Sequence, residues 1–160
     1  MEEFSLDIEN HTLQCFAYNT IIVGSGAAGL CAAERLFSFG QEDVAMVTEN
    51  LLGGTSRNAG SDKQTYYKLS LGGDSPDSVT ELAQTLFKGG CVDGDLALVE
   101  AALSVRAFFH LVELGVPFPH DRYGQYIGYK TDYDPKQRAT SAGPYTSKLM
   151  TERLEAAIVR

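Results

Sequence analysis

A short apolar run that passes directly into three closely spaced glycines constrains this chain more than any other feature. Residues 21–23 read Ile-Ile-Val, and consecutive β-branched residues are typical of a parallel strand covered on both faces. The glycines at 24–29 then lead into a helix that apolar spacing predicts over 27–39. A second apolar strand at 43–48 completes a strand–helix–strand unit over 20–48. The chain is therefore predicted to have an α/β fold with a parallel sheet.

Each glycine of the turn at 24–29 has a distinct mechanical role. Gly24 permits the tight turn out of the strand, Gly26 lets a pyrophosphate approach the backbone, and Gly29 allows the helix to pack against the sheet. Free amides and the helix dipole at the N-terminus of the helix favour the negative charge of that pyrophosphate. The flanking strand and helix favour dinucleotide binding in a Rossmann-like domain over a turn needed for packing alone. The cofactor-binding residues predicted here are Gly24, Ser25, Gly26, Ala27, Ala28 and Gly29.

The second strand is expected to end in a side chain that hydrogen-bonds the ribose of the dinucleotide. Glu49 lies at about the required separation from the glycine-rich turn, and its carboxylate can accept from a ribose hydroxyl. Thr48 is predicted at the strand tip and can serve through its own hydroxyl. Thr48 and Glu49 are therefore both candidates, and the alternative for Glu49 is a solvated loop residue.

The rest of the chain is predicted to form five further segments. A polar loop rich in Gly, Ser and Asn follows the second strand, and loops of this length in a compact domain are usually functional. Two helices come next, then a segment rich in Tyr, Gly and Pro that favours hairpin or loop structure, and then a terminal helix. A leading strand is also predicted before the first glycine, at 12–18. The polar loop is predicted at 50–64, the helical part at 75–115, the segment rich in Tyr, Gly and Pro at 116–144 and the terminal helix at 145–160.

The helical segments have their own boundary and face signals. Ser78 and Glu81 have the spacing of a capping box, which predicts where the first helix begins. The longer helix is predicted from apolar residues that recur at helical intervals, which are Leu96, Val99, Leu103, Phe109 and Leu114. The terminal helix has an apolar stripe that either packs within the chain or is covered by a partner. That stripe comprises Leu149, Met150, Leu154, Ala157 and Ile158.

Composition and charge exclude several classes of function. The formal net charge is −8 at pH 7 and Lys and Arg do not cluster, which argues against a nucleic-acid surface. The apolar runs are too short to span a bilayer, and the acidic N-terminus differs from a signal peptide. We therefore expect a cytoplasmic protein with no membrane span. Cys15, Cys31 and Cys91 have neither disulfide nor metal-ligand spacing, so no metal site is predicted.

Three motifs in a fixed order are similar to those of a known protein family. They are YNTIIVGSGAAGLCAAERL at 18–36, GGTSRNAG at 53–60 and ELGVPF at 113–118. This order resembles the N-terminal FAD-binding part of the fumarate reductase and succinate dehydrogenase flavoproteins, a group that includes L-aspartate oxidase and adenylylsulfate reductase flavoproteins. The resemblance runs through essentially the whole chain and implies that the dinucleotide is FAD.

The resemblance also assigns the loop at 53–61 to the flavin end of the cofactor. Glycines admit the ring system closely, while hydroxyls and amides can bond phosphate and flavin heteroatoms. A surface loop held by its own Asn and Ser side chains is the alternative. Respiratory members of the family have a histidine here that bonds covalently to flavin, and this loop has none, so we expect non-covalent FAD. The residues assigned to cofactor contact are Gly54, Thr55, Ser56, Asn58, Ala59, Gly60 and Ser61.

The resemblance places the substrate-binding and catalytic residues of the family beyond Arg160, in a capping domain and the later half of the flavin domain. We therefore expect an incomplete FAD-binding domain and assign it no catalytic residue. Four residues have side chains of a type that acts on carboxylate substrates, but a polar loop with satisfied side chains explains them better; these are His120, Asp121, Arg122 and Arg138.

Two functions from different classes follow. The first is the FAD-binding component of a reductase or dehydrogenase, in which a hydride passes between flavin and a small carboxylic or unsaturated acid. The second is an FAD-binding or electron-transfer module without substrate chemistry of its own; a structural remnant is a third alternative. The expected partners are a small-molecule substrate, a second chain or further C-terminal sequence that completes the substrate site, and an iron–sulfur subunit. Whether the chain alone is an enzyme stays open.

Overall fold

The computed structural model describes residues 1–61, 64–73 and 75–158, which divide into two compact units. The first unit comprises Met1–Ala59 together with the chain from Leu154 onward, and the second comprises Gly60–Arg153. Both units combine helices with strands, in agreement with the predicted α/β class. Among the described residues, no helix has the length and apolar character needed to cross a membrane.

The first unit begins with a hairpin and continues with the predicted strand–helix–strand unit. Strands β1 (Glu2–Ile8) and β2 (His11–Ala17) pair antiparallel along their whole lengths. Strand β3 (Thr20–Val23) pairs in parallel with β4 (Val44–Val47), and helix α1 (Ala27–Ser38) connects them. The predicted leading strand corresponds to β2, whereas β1 was not predicted.

Helix α1 is bounded by glycines and packs against the parallel strands. Gly26 is its N-cap, and Gly40 follows its C-terminus with a φ of 81°, in the left-handed region that ends many helices. The helix contacts both β3 and β4, and its Leu30 and Ala33 are buried. A short helix, α2 (Thr55–Asn58), lies inside the polar loop that follows β4.

The second unit contains a three-stranded antiparallel sheet and two packed helices. Strands β5 (Tyr66–Tyr67), β6 (Tyr129–Thr131) and β7 (Asp134–Thr140) are arranged in the order β5-β7-β6. Strands β6 and β7 form a hairpin, as the composition of that segment favoured. Helices α3 (Val79–Lys88) and α4 (Gly94–Glu113) pack against each other.

Side-chain caps set the N-termini of α3 and α4. The Ser78 hydroxyl accepts from the Glu81 N–H at 3.2 Å, which is one half of the capping box that the spacing predicts. The Asp93 carboxylate accepts from the amides of Asp95 and Leu96 at 3.0 and 3.1 Å. Both caps satisfy amides that have no partner within the helix.

Helix α4 buries a face that contains several small residues. The residues that this helix buries are Ala97, Ala101, Ser104, Phe108 and Leu111. Of the apolar residues whose spacing predicted the helix, Leu114 is half-buried and the others are exposed; these are Leu96, Val99, Leu103 and Phe109. Ala101 allows close packing in a cluster with Leu82 and Ala83 of α3. The spacing therefore predicted the helix but did not identify its buried face.

The last helix, α5 (Thr146–Ile158), covers much of its apolar stripe within the chain. Leu154 is buried, and the remaining stripe residues are partly buried; these are Leu149, Met150, Ala157 and Ile158. The stripe was expected either to pack within the chain or to be covered by a partner. Packing within the chain is enough to explain the burial of Leu154.

Arg138 is a buried charge satisfied inside the second unit. Its guanidinium donates to both Asp77 oxygens at 2.8 and 2.6 Å and to Asp134 at 3.1 Å. Burial alone would raise the pKa of Asp77, but the Arg138 hydrogen bonds, with two backbone amides, hold it below its ordinary value. Asp77 and Asp134 therefore satisfy the buried guanidinium of Arg138 within the second unit.

Candidate functional site

The glycine-rich turn follows β3 and opens α1. Gly24 donates its N–H to the Val47 carbonyl at 2.8 Å, which extends the contact between β3 and β4. Its φ of 101° lies in the region that glycine adopts freely. A Cβ on Gly29 would lie 2.1 Å from the Gly24 carbonyl oxygen, so a side chain does not fit there. Both glycines are thus required by the backbone itself.

A cleft of about 270 Å³ lies beside this turn in the first unit. Its walls come from the turn, from the residues after β4 and from the start of α2. The lining residues are Gly24, Ser25, Gly26, Thr48, Glu49, Asn50, Gly53 and Gly54. The cleft lies at the carboxyl ends of the two parallel strands, where open α/β sheets bind their ligands. Six of the residues predicted from the sequence therefore meet at one place.

Ser25 is 4% exposed, and its hydroxyl bonds within the protein. The Oγ atom lies 3.1 Å from the Leu51 carbonyl oxygen, 3.4 Å from that of Asn50 and 3.2 Å from the Thr48 hydroxyl. Thr48 directly follows β4 and is half-buried, whereas Glu49 is exposed. Of the two ribose candidates, Glu49 thus has the more accessible side chain.

The N-terminus of α1 faces the start of α2. The first intrahelical bond runs from the Leu30 N–H to the Gly26 carbonyl at 3.0 Å, so the three amides before Leu30 precede the helical ladder. One of them, the Ala27 N–H, donates to Ser56 Oγ at 3.1 Å. The amides of Ala28 and Gly29 complete the end where the helix dipole favours an anion.

The remaining predicted residues lie further along the chain from this cleft. Asn58 donates through Nδ2 to the carbonyls of Leu52 and Gly54 at 2.6 and 3.1 Å, which closes the loop on itself. The rest are exposed, and these are Thr55, Ala59, Gly60 and Ser61. The last two belong to the second unit, which begins at Gly60.

Three features of the first unit were missed from the sequence. Asn50 and Gly53 line the cleft, and Gly53 had a signal, since it forms a Gly-Gly pair with the predicted Gly54. The side chain of Arg57 pairs with the carboxylate of Glu155. That ion pair joins residues 98 positions apart, and sequence patterns give no indication of such a contact.

The donor set of the cleft fits a dinucleotide pyrophosphate. The cleft offers glycine backbone, hydroxyls and one exposed carboxylate, and the amides of the α1 N-terminus adjoin it. A Cβ on Gly54 would lie 3.6 Å from the Gly26 Cα, so a side chain there would enter the space between the two glycine segments. These are the properties of a cradle that a phosphate group can approach closely.

Comparison with known proteins identifies the family of the chain. Residues 19–156 match the family described as FAD binding domain. The chain is 28% identical over 149 residues to an L-aspartate oxidase of Xylella fastidiosa, covering 92% of this chain and 28% of that protein. It is 35% identical over 109 residues to an L-aspartate oxidase of Agrobacterium fabrum, covering 68% of this chain and 20% of that protein. The chain thus spans less than a third of the length of these relatives.

Solved structures share the fold. Mycobacterium smegmatis Sdh1 matches with a TM-score of 0.75 at 20% identity, over 89% of this chain and 24% of its own. The E. coli quinol fumarate reductase chain FrdA matches with a TM-score of 0.75 at 18% identity, over 90% of this chain and 24% of its own. The resemblance to fumarate reductase and succinate dehydrogenase flavoproteins is confirmed. The chain belongs to the FAD binding domain family, and FAD is its cofactor.

Proposed function

We propose that this chain is the FAD-binding portion of a flavin-dependent reductase or dehydrogenase and that it holds FAD without a covalent bond. The observation that carries the proposal is the glycine-lined cleft at the ends of β3 and β4, inside the segment that matches the family. Its relatives include proteins named L-aspartate oxidase, and its structural neighbours include a fumarate reductase chain. These names support an oxidoreductase that acts on a small acid.

Different residues of the cleft would hold different parts of FAD. The glycine-rich turn and the amides of Ala28 and Gly29 would hold the pyrophosphate, whose charge the helix dipole would stabilise. The Glu49 carboxylate, exposed at the cleft, would accept from the ribose hydroxyls, with Thr48 supporting the strand tip. The segment that we assign to the flavin end runs from Gly54 to Ser61 and contains no histidine. Bound FAD would supply hydride transfer to or from a small carboxylic or unsaturated acid.

We assign the substrate-contacting groups to polypeptide other than these 160 residues. The chain spans 28% of the Xylella L-aspartate oxidase, and Arg138, one of the titratable residues considered in the second unit, is bonded to Asp77 and Asp134. A second chain or further sequence would complete the substrate site, and an iron–sulfur subunit is the proposed electron partner. A module that binds FAD without substrate chemistry is the competing proposal.

The experiment that tests cofactor binding is the variant Gly26→Ala. A Cβ at Gly26 would have Ser56 Oγ at 3.5 Å as its nearest neighbour and Gly26 has a φ of −73°, so alanine fits the fold. We expect Gly26→Ala to remove the flavin absorbance bands from the purified protein while its circular dichroism stays unchanged. Gly94→Ala is the matched control, because its Cβ would make an ordinary 3.7 Å contact with Phe87 in the second unit.

Two results would contradict the proposal. The first is a wild-type protein that stays colourless after incubation with excess FAD and gel filtration. The second is equal FAD retention by Gly26→Ala and Gly94→Ala, which would place the cofactor elsewhere. To separate the two functions, dithionite-reduced flavoprotein is mixed with fumarate, with and without co-purifying polypeptides. Oxidation of the flavin supports the reductase, and no oxidation in either mixture supports the module.

A further inference from the structure

Two serine hydroxyls join the glycine-rich turn to the segment that follows β4. A serine hydroxyl has one proton to donate, and the 3.1 Å distance makes the Leu51 carbonyl the best acceptor for Ser25. The Thr48 hydroxyl, 3.2 Å away, then donates to Ser25 Oγ. From the opposite side, Ser56 Oγ accepts the Ala27 N–H at 3.1 Å. The two serine bonds therefore lie on either side of Gly26, whose backbone lines the cleft.

The segment from Asn50 to Asn58 is closed by bonds of its own. The Gly53 N–H donates to the Asn50 carbonyl at 3.0 Å, and the Leu52 N–H donates to the Asn50 side chain at 2.9 Å. Asn58 bonds back to the carbonyls of Leu52 and Gly54. These bonds restrict the segment internally, so the bonds of Ser25 and Ser56 constrain its position against the turn.

We propose that Ser25 and Ser56 are positioning residues that set the width of the FAD cleft before the cofactor binds. The inference rests on the proposed function for its ligand, but the serine bonds exist within the protein alone. Gly54 and Gly26 lie next to each other, since a Cβ on Gly54 would make an ordinary 3.6 Å contact with the Gly26 Cα. If the cleft already has its final width, binding does not have to order two loops around the ligand. The entropic cost of binding is then lower and the affinity for FAD is higher. Ser56 thus supports the site by holding the Ala27 amide.

The test compares Ser25→Ala and Ser56→Ala with two controls. Ser56→Thr keeps the hydroxyl, and Ser38→Ala removes an exposed hydroxyl that bonds the Arg35 carbonyl in the last turn of α1. The dissociation constant for FAD is measured by flavin fluorescence. Hydrogen exchange of the Leu52 and Gly53 amides is measured in cofactor-free protein. We expect each alanine variant at the cleft to weaken FAD binding about two- to tenfold, the effect of one hydrogen bond, and to speed that exchange.

The controls and the exchange measurement separate positioning from other roles. Ser38→Ala should keep wild-type affinity and exchange, and Ser56→Thr, which retains the hydroxyl, should recover most of the affinity and protection that Ser56→Ala loses. If Ser56→Ala weakens FAD binding without faster exchange at Leu52 and Gly53, Ser56 contacts the cofactor directly and the proposal is overturned. Unchanged affinity in both cleft variants overturns it as well. If wild-type protein binds no FAD, the proposed function fails, and the exchange rates still decide whether the serines hold the loop. If Ser25→Ala fails to fold, the comparison of Ser56→Ala with Ser56→Thr tests the proposal by itself.

Discussion

Lys68 shows at the residue scale how burial alone can shift a titration. It is 0% exposed; its ammonium lies 4.7 Å from the centre of the Phe108 ring and 3.5 Å from the Leu69 carbonyl. Loss of hydration lowers the pKa of Lys68 to about 8, because burial penalises the charged form. Between pH 8 and its ordinary value of 10.5, the unfolded chain therefore holds a proton that the folded chain has released. Linkage then requires the free energy of unfolding to rise with pH across this window.

The prediction is a rise in wild-type stability between pH 8 and 10.5 that Lys68→Met lacks, measured by urea unfolding at several pH values. At pH 7 both states of the wild type bind the proton, so Lys68→Met should be the more stable protein. Lys88→Met, a change on the exposed end of α3, serves as the control and should keep the wild-type slope. An identical pH profile for wild type and Lys68→Met would contradict this account.

Individual residues of the cleft were predictable where the backbone alone required them. Gly24 and Gly29 follow from a positive φ and from a carbonyl that leaves no room for a Cβ, and both constraints are local to the turn. The hydroxyl contacts of Ser25 were not predictable, because their acceptors lie 25 and 26 residues away across a fold that must first form. The burial of Lys68 likewise depends on tertiary packing.

At the scale of elements, hydrophobic periodicity located α4 but did not decide which of its faces is buried. The helix is apolar on two sides, and intervals of three and four residues fit either side equally. Packing against α3 selects the side with alanines. Strand β1 was missed although Phe4, Leu6 and Ile8 alternate with polar residues, which is a strand pattern. Glu9, with a φ of 55°, begins the turn that joins β1 to β2.

Substitutions on the buried and the exposed face of α4 are predicted to change the free energy of unfolding by very different amounts. Phe108 is 0% exposed and its ring contacts Tyr66, Phe118 and Tyr126, so Phe108→Ala should lower the free energy of unfolding by about 3–5 kcal/mol. Leu103 is exposed, and Leu103→Gln should change it by no more than about 0.5 kcal/mol. Urea unfolding measures both. A comparable loss in the two variants would mean that the exposed face of α4 is covered in the protein in solution.

At the scale of the whole molecule, the negative net charge of the protein repels the anionic FAD that the cleft attracts locally. The chain has a formal net charge of −8, and FAD contains an anionic pyrophosphate. None of the eight residues that line the cleft is Lys or Arg, so attraction comes from backbone amides and the dipole of α1, which act at short range. Long-range repulsion therefore slows the approach of FAD, while the final binding depends on contacts that salt affects little.

This balance predicts an unusual salt dependence of FAD association. Raising NaCl from about 10 mM to about 150 mM shortens the Debye length from about 30 Å to about 8 Å, which screens the net charge but not contacts inside the cleft. We expect the association rate constant, followed by stopped-flow flavin fluorescence, to increase with salt, while the dissociation rate constant changes little. If FAD association instead slows as salt is added, a basic surface steers the cofactor and the cleft of the first unit is not its point of entry.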